Sequence, residues 1–236
     1  MSGSKAPAKN NSFWTAVLTI VWKDLRIEKH TRQIISVMIM FSLVTVIMFN
    51  FAVDPEDLAA ARNVATGLLW ATILLSGTLG LNRSLAIEQE NRTIDAVLMG
   101  PVERSAIYLG KVISVTIFSY ILEAALVVLF VVFFNKPFYR PMILLMLVMG
   151  TLGYVAAGVL ITSMTIQTRT REVLLPVLLL PLSLPLVLPA ATVVASYMTT
   201  PPPEFIDVQS GVLLVLIYDL LMLTTGFLTY HYVVES

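Results

Sequence analysis

The chain has 236 residues, of which 57% are hydrophobic and 13% are charged, and its mean hydropathy is +0.85. Charged residues make up about a quarter of a typical soluble domain, so this composition excludes an ordinary soluble protein and indicates a polytopic membrane protein. The formal net charge is zero, which argues against a nucleic acid partner, and the lack of cysteine excludes disulfides and thiolate metal sites.

The N-terminal part divides into a polar tail and an amphipathic segment. Residues 1–12 are rich in Ser, Lys and Asn, which predicts a disordered tail ahead of a single membrane domain over 13–236. The apolar run after it lacks a small-residue cleavage site, so we expect no cleaved signal peptide. An apolar helical face is predicted, comprising Trp14, Val17, Leu18, Val21 and Leu25, with Thr15, Thr19, Lys23 and Arg26 opposite. This pattern favours an interfacial helix in the headgroup plane, and the alternative is an amphipathic helix packed on a partner.

Windows of about 20 apolar residues predict an all-α protein with six transmembrane helices. These lie near Ile34–Val53, Val64–Leu81, Ala106–Phe134, Met142–Ile166, Val173–Tyr197 and Gly211–Val234. Twelve of the fifteen Lys and Arg residues fall on the side of the N-terminus, and the other three are Arg62, Lys136 and Arg140. The positive-inside rule therefore predicts that both termini and the segment 82–111 are cytoplasmic.

The segment 82–111 connects the second and third spans and is amphipathic. At helical spacing Ile87, Ile94, Val97 and Leu98 fall on one side, and the charged residues fall on another. Gly100 can end this helix, and Pro101 suits the first turn of the next. We therefore predict a coupling helix that receives force from a soluble ATPase, and the alternative is a merely solvated helix face. The predicted contact and hinge residues are Glu88, Glu90, Arg92, Asp95, Gly100 and Pro101.

The fifth span carries four prolines, Pro176, Pro181, Pro185 and Pro189. Each proline removes a backbone hydrogen bond to the carbonyl four residues earlier. In a membrane such carbonyls need neighbours, hydroxyls or water, so one interpretation is a curved or broken helix beside a cavity. The other is a bend that is buried by packing. We expect Ala191–Met198, which is too short to span, to dip into the outer leaflet and return.

Two carboxylates, Glu123 and Asp219, fall within predicted spans at depths of about 16 Å and about 12 Å from the external ends. Intramembrane carboxylates are candidates for function and are expected to face the bundle interior. The alternative is a neutral carboxyl hydrogen-bonded to a nearby Tyr or Ser. In the fourth span a series of small residues predicts close helix packing, namely Gly150, Gly153, Ala157 and Gly158.

Motifs of common enzymes are absent from the sequence. It has no Gly-rich loop ending in Gly-Lys-Ser/Thr, no HExxH zinc motif and no GxSxG elbow. For its two histidines, His30 and His231, we expect an interfacial role rather than haem ligation. The chain is therefore predicted to be no enzyme, to bind no cofactor or metal itself, and to depend on a partner for energy.

The run from Glu88 to Ser105 reads Glu-x-Glu-x-x-Thr-Ile-Asp-x-Val-Leu-x-Gly-Pro-Val-x-Arg-Ser. Together with Tyr108 and Gly110-Lys111, it resembles the coupling segment of six-span ABC-2-type permeases. When Arg169-x-Arg171-Glu172-Val-Leu-Leu-Pro176 and the prolines that follow are added, the chain resembles the CcmB family of cytochrome c maturation permeases, also called haem exporter protein B. Length and six-span layout agree across essentially the whole chain.

The resemblance implies a multi-pass permease of the cell membrane, the inner membrane in a Gram-negative cell. It implies a pair of permeases with a separate CcmA-like ATPase, in a complex that handles haem for c-type cytochrome assembly. Its further partners would be a CcmC-like haem-handling subunit, a small CcmD-like subunit and a CcmE-like haem chaperone, whose haem-loaded form is released through ATP hydrolysis.

Three alternatives remain open. One is an ABC-2 exporter of lipid-linked or amphiphilic cargo. Another is a proton-coupled secondary transporter that depends on Glu123 and Asp219. The third is a scaffold without a transport role.

Overall fold

The computed structural model describes residues 13–51, 58–90, 103–165 and 171–235, in which all regular structure is α-helical. The predicted tail lies outside these ranges. Helices α2 to α7 each contain a segment long and apolar enough to cross a bilayer, which confirms the all-α architecture with six spans. The helices are α1 (Phe13–Thr31), α2 (Gln33–Asn50), α3 (Leu58–Glu90), α4 (Arg104–Phe134), α5 (Pro141–Thr165), α6 (Arg171–Tyr197) and α7 (Phe205–Glu235).

Helix α5 forms the centre of the bundle and packs on α3, α4, α6 and α7. Its small residues allow this close approach. A Cβ atom at Gly150 would collide with the Trp70 ring, and one at Gly158 would collide with Leu81. The predicted packing role of the small residues in the fourth span is therefore confirmed.

Helices α3 and α7 extend well beyond the predicted spans. Helix α3 continues past Leu81 to Glu90, because Leu85 and Ile87 extend its buried face at helical spacing. Helix α7 begins at Phe205 rather than near Gly211. Its start is stabilised by a local hydrogen bond, since the Glu204 N–H donates to Asp207 Oδ2 at 3.2 Å.

The proline-rich helix α6 runs without interruption from Arg171 to Tyr197. A broken helix is therefore not observed, and the predicted re-entrant segment at Ala191–Met198 is wrong. Residues 191–197 form the last turns of α6, because buried Val193 and Val194 continue its packed face.

Helix α1 is present as predicted, but its buried face differs from the expected one. Val17 and Val21 pack against Ala106 at the base of α4. In contrast, Trp14 and Leu18 are exposed. The helix thus rests on the same chain and presents aromatic and apolar side chains outward, while its place in the headgroup plane stays a prediction.

Candidate functional site

The structure describes only part of the predicted coupling helix. Arg92, Asp95, Gly100 and Pro101 lie outside the described residues. Glu88 and Glu90 belong to the last turn of α3 rather than to a separate helix, and their side chains are likewise outside the description. The structure therefore defines the two ends of the coupling segment, where α3 stops and where α4 starts.

The start of α4 is well ordered by local contacts. Glu103 is in extended conformation and precedes the first helical residue, Arg104. The Ser105 hydroxyl donates to Glu103 Oε1 at 2.9 Å, and the Ala106 N–H donates to the Glu103 carbonyl at 3.0 Å. The first turn of α4 is thus formed directly after the undescribed residues.

The base of α4 is attached to α1 at Gly110 and Lys111. Lys111 Nζ lies 3.3 Å from Asp24 Oδ2, and both side chains are largely buried. A Cβ atom at Gly110 would come within 2.9 Å of Ile20, so only glycine permits this contact. The motif residues that follow the coupling segment therefore hold α1 in place.

Sequence reasoning missed Asp24 and Glu28 of α1, which are both buried. With Val17 and Val21 they form one helical stripe, but the sequence alone does not show that this stripe meets protein. The large apolar side chains of Trp14 and Leu18 favoured a different face as the buried one. A buried carboxylate on such a stripe indicates a specific polar contact.

The intramembrane carboxylates Glu123 and Asp219 both face the central helix α5. Glu123 accepts a hydrogen bond from the Thr151 hydroxyl. Asp219 packs against Gly153, and its side chain is buried. The two carboxylates are thus placed in the bundle interior, and the partner of Glu123 is a threonine rather than Tyr or Ser.

Buried tyrosines connect the helices around these carboxylates. The Tyr108 hydroxyl donates to the carbonyls of Ala156 on α5 and Met222 on α7, at 3.1 Å and 3.3 Å. The Tyr154 hydroxyl donates to the Leu74 carbonyl at 2.7 Å and lies 2.7 Å from Thr78 Oγ1. These hydrogen bonds join α4 to both α5 and α7, and they join α5 to α3.

The proline side of α6 is exposed rather than buried by the rest of the chain. Val177 is 59% exposed and Leu188 is 61% exposed, and Pro181 and Pro185 lie between them on the same face. The carbonyls of Val177, Pro181 and Pro185 are those that lose the usual N–H because a proline follows four residues later. Within the single chain this side of α6 is therefore not covered by packing, and both interpretations of the prolines stay predictions.

The histidines do not form a metal site within the described part of the chain. His30 is exposed, and its Nδ1 lies 2.8 Å from the Arg26 carbonyl, while the His231 side chain is outside the description. Across the described residues no group of three or more His, Cys, Asp or Glu side chains could hold a metal ion.

The chain is similar to proteins named Heme exporter protein B. It is 29% identical to that of Rhodobacter capsulatus over 163 residues, which cover 68% of this chain and 73% of the relative. It is 27% identical to that of Escherichia coli K12 over 98 residues, and this stretch spans 44% of the relative. The match to the Pseudomonas aeruginosa protein is 26% identical and covers 61% of this chain and 65% of the relative.

The family match is much longer than these pairwise ones. Residues 15–226 match the CcmB protein family, from the third residue of α1 to well inside α7. The match covers the first five candidate membrane spans and most of the sixth, which ends at Tyr230. The chain belongs to the CcmB protein family.

Proposed function

We propose that this chain is the membrane subunit of an ABC transporter complex that handles haem during c-type cytochrome biogenesis. The observation that carries this proposal is the family match over 15–226, together with relatives named Heme exporter protein B. ATP would be hydrolysed by a separate CcmA-like subunit. The hydrolysis would drive release of a haem-loaded, CcmE-like chaperone, with CcmC-like and CcmD-like subunits as further members.

The proposed mechanism is mechanical. Both termini and the coupling segment lie in the cytoplasm, where closure of the ATPase dimer displaces the segment that contains Glu88, Glu90, Arg92 and Asp95. Gly100-Pro101 passes this motion to α4, whose first turn is preformed at Glu103 and Arg104. To switch the membrane helices almost completely between two conformations, the interaction of the coupling segment with the ATPase must favour one nucleotide state by about 5 kcal/mol.

The exposed proline face of α6 supports pairing of two permease copies. Three carbonyls without their usual N–H lie on this face, and such groups are costly in contact with lipid. We infer that this face lines a hydrated seam between two copies. The chain lacks cysteine, so a Leu184→Cys variant can report the pairing by disulfide cross-linking. Leu214→Cys on the exposed apolar face of α7 is the matched control and should not cross-link.

The central test combines genetics with purification. Deletion of the gene should abolish c-type cytochromes, and the tagged protein should co-purify with an ATPase whose turnover depends on the coupling segment. A triple charge reversal at Glu88, Arg92 and Asp95 should lower this turnover in an assembled complex. Full turnover in that variant would contradict the coupling role, and unaltered cytochromes in the deletion strain would indicate a different cargo, such as a lipid-linked one.

Proton-coupled transport is a second candidate, because Glu123 and Asp219 are buried carboxylates that face the same central helix. The two candidates make opposite predictions. Neutralisation by Glu123→Gln and Asp219→Asn would abolish proton-coupled transport, and removal of any ATPase would leave it intact. The ABC mechanism requires the ATPase in every condition.

A further inference from the structure

Helix α1 carries two buried acidic side chains, Asp24 and Glu28, whose relative exposures are 8% and 3%. They lie four residues apart, and therefore on the same face as the apolar contacts with α4. Charged side chains are rarely buried unless they are paired. Each of these carboxylates has its own partner, and the partners belong to two different transmembrane helices.

Asp24 joins α1 to α4. Its Oδ2 atom lies 3.3 Å from Lys111 Nζ, and its Oδ1 atom lies 3.1 Å from Lys23 Nζ. The Lys111 side chain is 14% exposed, so this ion pair is largely removed from solvent. Loss of one member of such a pair leaves the other charge buried, which is far more costly than the loss of a surface pair.

Apolar contacts extend the same junction. Val17 and Val21 pack on Ala106, in the first turn of α4. Ile20 lies so close to Gly110 that a Cβ atom there would be 2.9 Å from its Cβ. Because interlocked side chains and an ion pair act along the same face, α1 and the base of α4 form one rigid unit.

Glu28 joins α1 to α2. Its Oε2 atom accepts a hydrogen bond from the Ile34 N–H at 3.1 Å, and its Oε1 atom accepts one from the Ile35 N–H at 2.9 Å. Arg32 precedes α2 in a left-handed conformation with φ 52° and makes no side-chain cap. A carboxylate from the preceding helix thus satisfies two of the first N–H groups of α2, where the helix dipole also favours negative charge.

We propose that α1 is a transmission element that passes movement of the α4 base to the start of α2. The path runs from Lys111 through Asp24 into α1, and from Glu28 into the first turn of α2. Asp24 and Glu28 are therefore positioning residues. This inference rests on the proposed function, because the coupling segment that precedes α4 supplies the movement.

The experiment uses the complete complex with its ATPase in lipid nanodiscs and measures distances between spin labels. Single cysteines are placed at the exposed residues Thr19 on α1, Ser36 on α2 and Ile113 on α4, each paired with Leu214→Cys on α7 as a reference. Nucleotide binding should change all three distances to the reference. The Thr19 to Ile113 distance, measured directly in a further pair, should stay constant.

Glu28→Gln separates the two halves of the path, because the amide lacks the charge and places an N–H₂ group opposite a backbone N–H. In this variant nucleotide should still change the distances from Ile113 and Thr19 to the reference label. The change in the Ser36 distance should be smaller by about fivefold or more. Asp24→Asn should reduce the responses of both Thr19 and Ser36. Lys29→Gln, which removes an exposed charge from α1, is the matched control and should change nothing.

Two results would overturn the inference. One is a wild-type complex in which Ile113 moves with nucleotide while Thr19 does not, a measurement that needs no folded variant. The other is a folded Glu28→Gln complex in which Ser36 responds as in the wild type. If none of the three labels responds in the wild type, the coupling mechanism itself fails, which distinguishes failure of the proposed function from failure of this inference.

Discussion

Glu123 on α4 accepts a hydrogen bond from the Thr151 hydroxyl on α5, and the two side chains are 5% and 0% exposed. The Thr151 hydroxyl is thus a hydrogen-bond partner of a carboxylate that lies within a candidate membrane span. Polar pairs at such depth hold helices together because the alternative is a polar group in an apolar environment. The contact therefore links the helix entered from the coupling segment to the centre of the bundle.

Replacement of Thr151 by Val keeps its volume and removes the donor to Glu123. We expect the free energy of unfolding to fall by about 1–3 kcal/mol, since a buried acceptor is left unsatisfied. Thermal unfolding of the purified protein in detergent would measure this loss. The matched control is Thr116→Val on α4, because the buried Thr116 hydroxyl has no hydrogen-bond partner among the described residues. Equal losses in the two variants would contradict the assigned role of the Thr151 hydroxyl.

Two glycines on α3 allow a test of close packing within one helix. A Cβ atom at Gly77 would lie 2.7 Å from Tyr154 Cε1, whereas one at Gly67 would meet nothing within 4 Å. Gly67→Ala should stabilise the protein by about 1 kcal/mol through helix propensity. Gly77→Ala should destabilise it by about 1–3 kcal/mol, because the Tyr154 hydroxyl is held by two partners and the ring cannot retreat freely. Comparison of the two melting temperatures is the measurement, and a common direction of change would refute the packing argument.

The sequence was sufficient to predict the number and approximate position of the spans, because uninterrupted apolar length is the main requirement of a bilayer. It was also sufficient for the glycine packing of α5, since small residues at helical spacing have few other uses in a membrane helix. Both features depend on local composition.

Features that depend on tertiary contacts were not predictable. The buried face of α1 is chosen by its fit to α4, and an isolated helical pattern cannot distinguish a face that meets lipid from one that meets protein. The exposure of the proline side of α6 was missed for the same reason. The continuation of α3 to Glu90 depends on the burial of Leu85 and Ile87 by other helices, although their polar neighbours indicated the end of a span.

Arg140, which lies just before α5, contacts the C-terminal end of α6. Its Nη1 donates to the carbonyls of Tyr197 and Thr199, at the C-terminal end of α6, and the second distance is 2.8 Å. A cation is favourable there because the last carbonyls of a helix lack N–H partners and carry its negative dipole end. Arg140→Gln should therefore lower the free energy of unfolding by about 1–3 kcal/mol.

Limited proteolysis would detect this change in the α6–α7 connection. Cleavage near Thr199 should become faster in Arg140→Gln and should stay slow in a control variant at exposed Tyr139, such as Tyr139→Phe. Equal cleavage rates in Arg140→Gln and the wild type would show that Arg140 does not hold this loop.

The prolines of α6 allow the stability of the protein and its function to be tested separately. Pro185→Leu should restore an N–H to the Pro181 carbonyl, so we expect a helix as stable as the wild type or up to about 3 kcal/mol more stable. The same change removes a free acceptor from the exposed face and stiffens the helix. If this face lines a hydrated seam between two copies, Pro185→Leu should lower c-type cytochrome formation although the protein is well folded. Haem-stained gels of membrane fractions measure the cytochromes, and thermal unfolding measures the fold.

Leu186→Ala is the matched control for this experiment, because Leu186 is the adjacent residue and is fully buried. Truncation of this side chain should lower stability by about 2–5 kcal/mol, and any loss of cytochromes should then follow the loss of folded protein. A Pro185→Leu protein that supports normal cytochrome formation would show that the free carbonyl has no role. Cytochrome formation that falls while the free energy of unfolding stays the same or rises would support a functional role of the proline face. A loss of core packing alone would lower both quantities together.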